Sequence, residues 1–342
     1  KILCFGDQHI DTADVLTVEM FFDNSIEEVK KQDPDFIVLL GDMLHYHNTI
    51  YTHSLNKAYD FIERLSKLKP VYVLVGNHDM RGPACFLDPK SHWLNAMKKW
   101  ENVTIVDTVN HITHDEFNFV LLPYVPNKRF EEALNTIGED WKKATCIFAH
   151  QEFYGCKMGA VESVEGDKWD LSYPYIVSGH IHDTQQPQKN IFYTGASLQT
   201  SFGDSSDKTI SCLTIQKDIA SEDDTLGKDI LLTQIELNLP KKKIISKTID
   251  QIEEWVIPNR AKRKDDGQAH DKYKVNIKGT PAEFKVFKKS EKYKEITSHG
   301  IKVVFKHTQT EEKKIEVNDK ETNALSFNKV LLDLIKNEKF GD

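Results

Sequence analysis

The chain has 342 residues, of which 39% are hydrophobic and 29% charged, and its formal net charge is −8. That length calls for more than one small core, the apolar content excludes a disordered polymer, and no apolar run approaches the roughly 20 residues of a membrane span. Five scattered cysteines without a CxxC pair exclude a disulfide framework or zinc knot, and the N-terminal run Lys1 to Ile10 lacks signal-peptide features, so an intracellular protein (cytoplasm, nucleoid or nucleus) with reduced thiols is expected.

Strand-like runs come first at Ile2–Phe5, Phe36–Leu40, Val71–Val75 and Val103–Val106, separated by helical stretches near Val15–Gln32, Thr52–Lys67 and His92–Trp100. This alternation predicts parallel βαβ units. Further strands are predicted at Phe117–Pro123, Thr145–Ala149, Tyr175–Ser178, Ile191–Tyr193, Ile210–Ile215 and Leu231–Leu237, with a helix near Arg129–Lys142. The later strand-after-strand pattern predicts a second, more antiparallel sheet packed on the first. A boundary falls near Leu239–Lys243. Beyond it the reading is a helix at Thr248–Val256, a polar linker Pro258–Asp271, strand Tyr273–Lys278, helix Pro281–Ser298 and strand Ile301–His307. Thr280, Pro281 and Glu283 spell a capped helix start. A last amphipathic helix is predicted at Ser326–Lys339.

Charge divides along the same boundary. Residues 1–240 carry 21 Lys and Arg against 36 Asp and Glu, whereas residues 241–342 carry 24 against 17. An acidic body with a basic C-terminal part suits an enzyme that keeps carboxylates for metal and offers lysines to a polyanion. Solubility alone also explains such a drift.

Five short polar motifs end predicted strands, where open α/β sheets place ligands. They are Asp7-Gln8-His9, Gly41-Asp42, Gly76-Asn77-His78-Asp79, His150 and Gly179-His180-Ile181-His182. Alone, each has an ordinary explanation: a histidine after a strand is usually hydrogen-bonded or exposed, and an aspartate there is usually a turn or cap. Together, carboxylates, imidazoles and a carboxamide with few thiols favour Mn, Fe or Zn over an oxygen-ligated calcium site.

The ordered set DxH, GD, GNHD, H, GHxH resembles the signature of the calcineurin-like metallophosphoesterases over residues 1–215. The resemblance implies an α/β fold, a β-sandwich flanked by helices with a dinuclear centre at one edge. It implies that Asp7, His9 and His182 hold one divalent ion, that Asn77, His150 and His180 hold the other, and that Asp42 bridges them. His78 is then the non-ligand histidine acting as general acid, with Asp79 orienting its ring, or else a neighbour that only positions Asn77.

Three features resemble one branch of the family, the SbcD-type double-strand-break repair nucleases. His45, three residues after Asp42, matches a histidine that assists cleavage there, the alternative being an ordinary solvent-facing histidine. His150-Gln151 and the stretches Tyr193–Ser197 and Thr200–Asp204 match too, with Ala196 departing from a common serine. The basic unit at 241–320 stands where that family has its DNA-capping domain, and Lys274, Lys278, Lys285, Lys288 and Lys289 are candidate phosphate contacts. Residues 1–240 would be the nuclease domain. Residues 321–342 would dock on an SbcC-type, SMC-like ATPase or pack on their own domain. The branch implies two Mn2+ ions, endonuclease and 3′-to-5′ exonuclease activity on DNA, and a homodimer, for which Thr52–Lys67 and His92–Trp100 are candidate contacts. The alternative is a phosphoesterase acting on small phosphodiesters or phosphoproteins, with a regulatory tail. A binding scaffold with a vestigial site is a third reading.

Overall fold

A computed structural model describes residues 1–47, 49–216, 225–227, 230–261 and 268–307. In chain order its elements begin with β1 (Ile2–Phe5), α1 (Val15–Gln32), β2 (Phe36–Leu39), α2 (Thr52–Ser66), β3 (Val71–Leu74) and β4 (Val103–Val106). There follow β5 (Asn110–His114), β6 (Phe117–Leu121), α3 (Phe130–Leu134), β7 (Cys146–His150), the short ribbon β8 (Lys157–Met158) and β9 (Val161–Glu162), β10 (Tyr175–Gly179), β11 (Gln185–Gln188) and β12 (Ile191–Tyr193). The last are β13 (Thr209–Ile215), β14 (Thr225–Gly227), β15 (Ile230–Glu236), β16 (Lys242–Thr248), α4 (Ile249–Glu253), β17 (Lys272–Gly279), α5 (Pro281–Phe287), α6 (Glu291–Ser298) and β18 (Lys302–His307).

Two mixed sheets pack face to face. One has the order β14-β15-β13-β1-β2-β3-β4, the other β11-β12-β10-β7-β6-β5. Strand alternation builds the layers. Ile2 and Cys4 point into the inter-sheet core with Phe36, Phe119, Phe148 and Val177, whereas Leu3 and Phe5 face α1 and α2. Phe22 of α1 and Phe61 of α2 stack with ring centroids 4.6 Å apart, each fully buried phenylalanine stabilising by about 1.5–3 kcal/mol. The outer face of the second sheet is covered by Phe130, Leu134 and Trp141.

The expected antiparallel second sheet is corrected. Its centre, β6, β7, β10 and β12, is parallel, and only the edges β5 and β11 are antiparallel. The late strands return to the first sheet instead. β13 pairs antiparallel with the edge of β1, which lets Leu213 and Ile230 extend the inter-sheet core. Two predicted helices are shorter or tighter than the sequence implied. Trp93–Lys99 is a 3-10 helix, and the Arg129–Lys142 stretch breaks after α3 into 3-10 turns around Gly138, whose φ is +83°.

After residue 240 the chain builds a separate three-stranded parallel sheet, β16-β17-β18. Ile252, Phe287 and Ile296 of its helices cover Val275 and Ile277 on one face. The capping box of Thr280 and Glu283 is formed. The single helix read over Pro281–Ser298 is two, because Ser290 caps a new start by accepting from the Tyr293 N–H. Ser326–Lys339 lies outside the described residues. No described helix is long and apolar enough to cross a membrane. All five cysteines are free thiols, four of them buried.

Candidate metal centre

All five motifs emerge at carboxyl ends of parallel strands. β1, β2 and β3 deliver Asp7, Asp42 and Asn77 from the first sheet, and β7 and β10 deliver His150 and His180 from the second. The turns are tight. Asp7, His9, Asp42 and His180 all have left-handed backbones, with φ of 40°, 44°, 53° and 80°, each at a cost of about 1–3 kcal/mol. The glycines before the ligands serve close approach. A Cβ on Gly76 would lie 2.2 Å from the Asp42 Oδ1, and one on Gly41, at φ +100°, would lie 2.6 Å from the His150 Nδ1.

The nominated side chains converge. Asp7, His9 and His182 form one group whose donor atoms are mutually within 4.8 Å, and Asp42, His150 and His180 form a second. His9 and Asp42 also group with His78, so the two clusters share a border. His9 Nε2 and His182 Nε2 are 2.9 Å apart. Asn77 Oδ1 sits 3.0 Å from His150 Nε2 and 2.9 Å from His180 Nδ1, and Asp42 Oδ1 lies 3.4 Å from His150 Nε2. His150 donates Nδ1–H to the Leu40 carbonyl at 2.6 Å, which turns its Nε2 toward the cluster, the orientation a metal-ligating imidazole requires.

The calcineurin-like phosphoesterase profile matches residues 1–184. The chain belongs to the calcineurin-like phosphoesterase family. Provisionally named phosphoesterases of two invertebrate iridescent viruses match at length. One, 244L of Invertebrate iridescent virus 6, is 42% identical over 85% of this chain and 98% of its own. The other, 078R of Invertebrate iridescent virus 3, is 39% identical over 90% of this chain and 84% of its own. Among solved structures, a purple acid phosphatase from yellow lupin seeds is similar at 16% identity and a TM-score of 0.46, over 70% of this chain and 52% of that one. These relatives bear the broad name of phosphoesterase, so the narrower SbcD-type assignment goes no further here than the resemblance that suggested it.

The donor set of this phosphoesterase fits two divalent cations. Two carboxylates, a carboxamide and four imidazoles crowd their lone pairs into a buried space, an arrangement that positive charge satisfies. Electrostatics point the same way. Burial pushes the Asp7 carboxyl up to about 6. Burial would also raise Asp42, but His150, His9 and His78 hold it below the usual carboxylate range. Burial depresses His9, and depresses His180 to about 3, so both are neutral and able to ligate. Burial would depress His150 too, yet the Asp42 carboxylate lifts it to about 9, marking the position where positive charge is most wanted.

One expected role changes. Asp79 does not orient His78. Its carboxylate accepts from the Met43 and Gly76 N–H groups and from the Trp93 indole, and the His45 carbonyl takes the His78 Nδ1–H at 2.8 Å. The tight turn points the two adjacent side chains apart, so Asp79 is a buried strut of the loop. His45 edges against the ring of His9 at 5.6 Å, with its own Nδ1 buried and unpartnered. Sequence reasoning missed His47, whose ring centroid lies 3.4 Å from that of His78. It also missed Tyr124, which packs on His150 and His180. Neither sits in a motif, and only the fold brings them in.

Proposed function

We propose that this phosphoesterase hydrolyses the phosphodiester backbone of DNA, as an SbcD-type nuclease, with manganese as the metal. In this reading Asp7, His9 and His182 hold one cation, Asn77, His150 and His180 the other, and Asp42 spans both. When bound, two divalent cations supply Lewis acidity to the phosphoryl oxygens and lower the pKa of water. Asn77 ligates without adding charge, so the centre keeps a positive excess toward an anionic ester. His78, whose Nδ1–H the His45 carbonyl accepts, turns Nε2 toward the centre, and in its imidazolium form would give the Nε2 proton to the leaving oxygen.

One observation supports a polymeric polyanion. Register and alternation put Lys274, Lys278, Lys302 and Lys306 on the face of the C-terminal sheet opposite its helices, with Lys242 and Lys272 at its near end. None of the strand residues on that face is acidic, although Asp14 reaches Lys272 from outside the sheet at 2.6 Å. Lys242 and Lys272 also line the groove that reaches His9 and His45, beside Asp11 and Asp14; Lys272 pairs with Asp14, and Lys242 donates to the Gln199 and Thr200 carbonyls. The four lysines of the sheet face suit a phosphate backbone held without sequence readout.

The relatives' names favour a second reading, a phosphoesterase for small esters or phosphoproteins. Manganese-dependent digestion of end-labelled duplex and single-stranded DNA, run beside bis(p-nitrophenyl) phosphate, separates the two. Cleavage of DNA that stops with chelator, and whose salt dependence becomes shallower with Lys274→Glu and Lys302→Glu, supports the nuclease. Turnover of the small ester beside intact DNA overturns it.

A further inference from the structure

Next to the metal centre lies an aromatic surface that the chemistry described so far does not use. Tyr46 and Tyr51 are 43% and 51% exposed, large apolar groups that a monomer gains nothing by leaving in water. They are not scattered. The Tyr46 and Tyr51 rings meet at 5.1 Å, Tyr46 meets His45 at 4.8 Å, and His45 meets His9 at 5.6 Å. A ladder of edge-on rings thus runs from a candidate ligand out to solvent. Behind it His47 covers His78, the residue placed at the leaving oxygen. The ladder therefore borders the residue proposed to meet the leaving oxygen.

We propose that Tyr46 and Tyr51 form a stacking platform for an unpaired base of the nucleotide next to the scissile phosphate. The proposal rests on the phosphodiesterase reading and deepens it, by specifying that the substrate carries planar bases free to unstack from a duplex. Lysines on the C-terminal sheet hold phosphates regardless of the bases, whereas an aromatic platform reads the π-face that every base offers. The two contributions are therefore separable by a substrate that keeps one and lacks the other.

The test is fluorescence anisotropy of a labelled thymidine octamer and of an abasic octamer with the same backbone, each titrated with the full chain in chelator. The wild type is expected to bind the base-bearing octamer about tenfold more tightly or better. Tyr46→Ala and Tyr51→Ala are each expected to shrink that preference to within about threefold, and Tyr46→Phe and Tyr51→Phe to keep it, since stacking needs the ring and not the hydroxyl. Equal wild-type affinity for the two octamers overturns the platform. So does an undiminished preference in both alanine variants, or a shift of the wild type from dimer to monomer on the same substitutions, which would make the surface a contact between copies. Failure of the diesterase reading looks different: base preference persists while manganese-loaded protein leaves DNA uncut.

Discussion

At His78 the chemistry turns on which ring nitrogen is free. Nδ1 is committed to the His45 carbonyl at 2.8 Å, and Nε2 lies 3.8 Å from the Asp42 carboxylate at the border of the two ligand groups. His78→Gln is therefore expected to lower kcat by about 10²- to 10⁴-fold, while calorimetric titration still counts two bound manganese ions. Unchanged turnover, or loss of an ion, removes the acid role. The ligand types at this site were legible in the sequence because each follows an apolar strand directly, and position along a strand end is a spacing that sequence displays. The support behind them was not. A backbone carbonyl such as that of His45 leaves no mark in the sequence, and adjacency of His78 and Asp79 suggested a partnership that the tight turn prevents. His47 and Tyr124 reach the site only through the packing of loops whose course no motif records.

Among the elements, the buried strands were readable because an apolar run flanked by glycine or polar residues has few other fates. The edge strands of the second sheet were not. β5 alternates half-buried and exposed positions, and β11 is spelled Gln-Gln-Pro-Gln, which reads as loop. β16, which starts within the expected boundary at Leu239–Lys243, has no counterpart among the expected strands, because its lysines hide the alternation that its parallel pairing with β17 reveals. What secures β16 is the loop Thr200–Asp204 and the residue before it. The Gln199 amide brackets the Lys242 backbone, accepting its N–H at 2.7 Å and donating to its carbonyl at 2.9 Å. Asp204 in turn ties that loop together, accepting from the N–H and hydroxyl of both Thr200 and Ser201. Burial works to raise the Asp204 carboxyl, but these donors hold it below the usual value. A depressed folded-state pKa gives stability that is complete above the unfolded value near 3.9 and is lost as pH falls through the folded one. Asp204→Asn is accordingly expected to lower stability by about 1–3 kcal/mol at pH 7. In melts run in chelator, the gap to the wild type should close as pH is lowered from 5 toward 3. A gap constant over that range would mean that the carboxylate charge contributes nothing and that Asp204 acts by shape alone.

For the whole molecule, the centre is a seam. Asp7, His9, Asp42 and Asn77 belong to loops of the first sheet, and His150, the last residue of β7, with His180 and His182 of the loop after β10, to the second. A cation held by Asp7, His9 and His182, or by Asn77, His150 and His180, joins the two layers of the sandwich at one edge. The unfolded chain scatters the same residues over 175 positions, from Asp7 to His182, so the binding free energy becomes folding free energy. Binding to the native state alone stabilises by RT ln(1 + [L]/Kd), about 1.4 kcal/mol for each tenfold rise in free metal above Kd. At this size, about 1 kcal/mol corresponds to a shift of roughly 2 °C in Tm. Chelated protein titrated with manganese chloride should therefore show Tm climbing steadily with the logarithm of metal concentration. In Asp42→Asn the climb should begin at higher metal, since the carboxylate between the two groups contributes to both sites. A Tm indifferent to chelator and to added manganese would mean that the two ligand groups do not close on cations across the seam. The sandwich would then owe its cohesion at that edge to the hydrogen bonds from His180 N–H to Asp7 and from His150 to the Leu40 carbonyl.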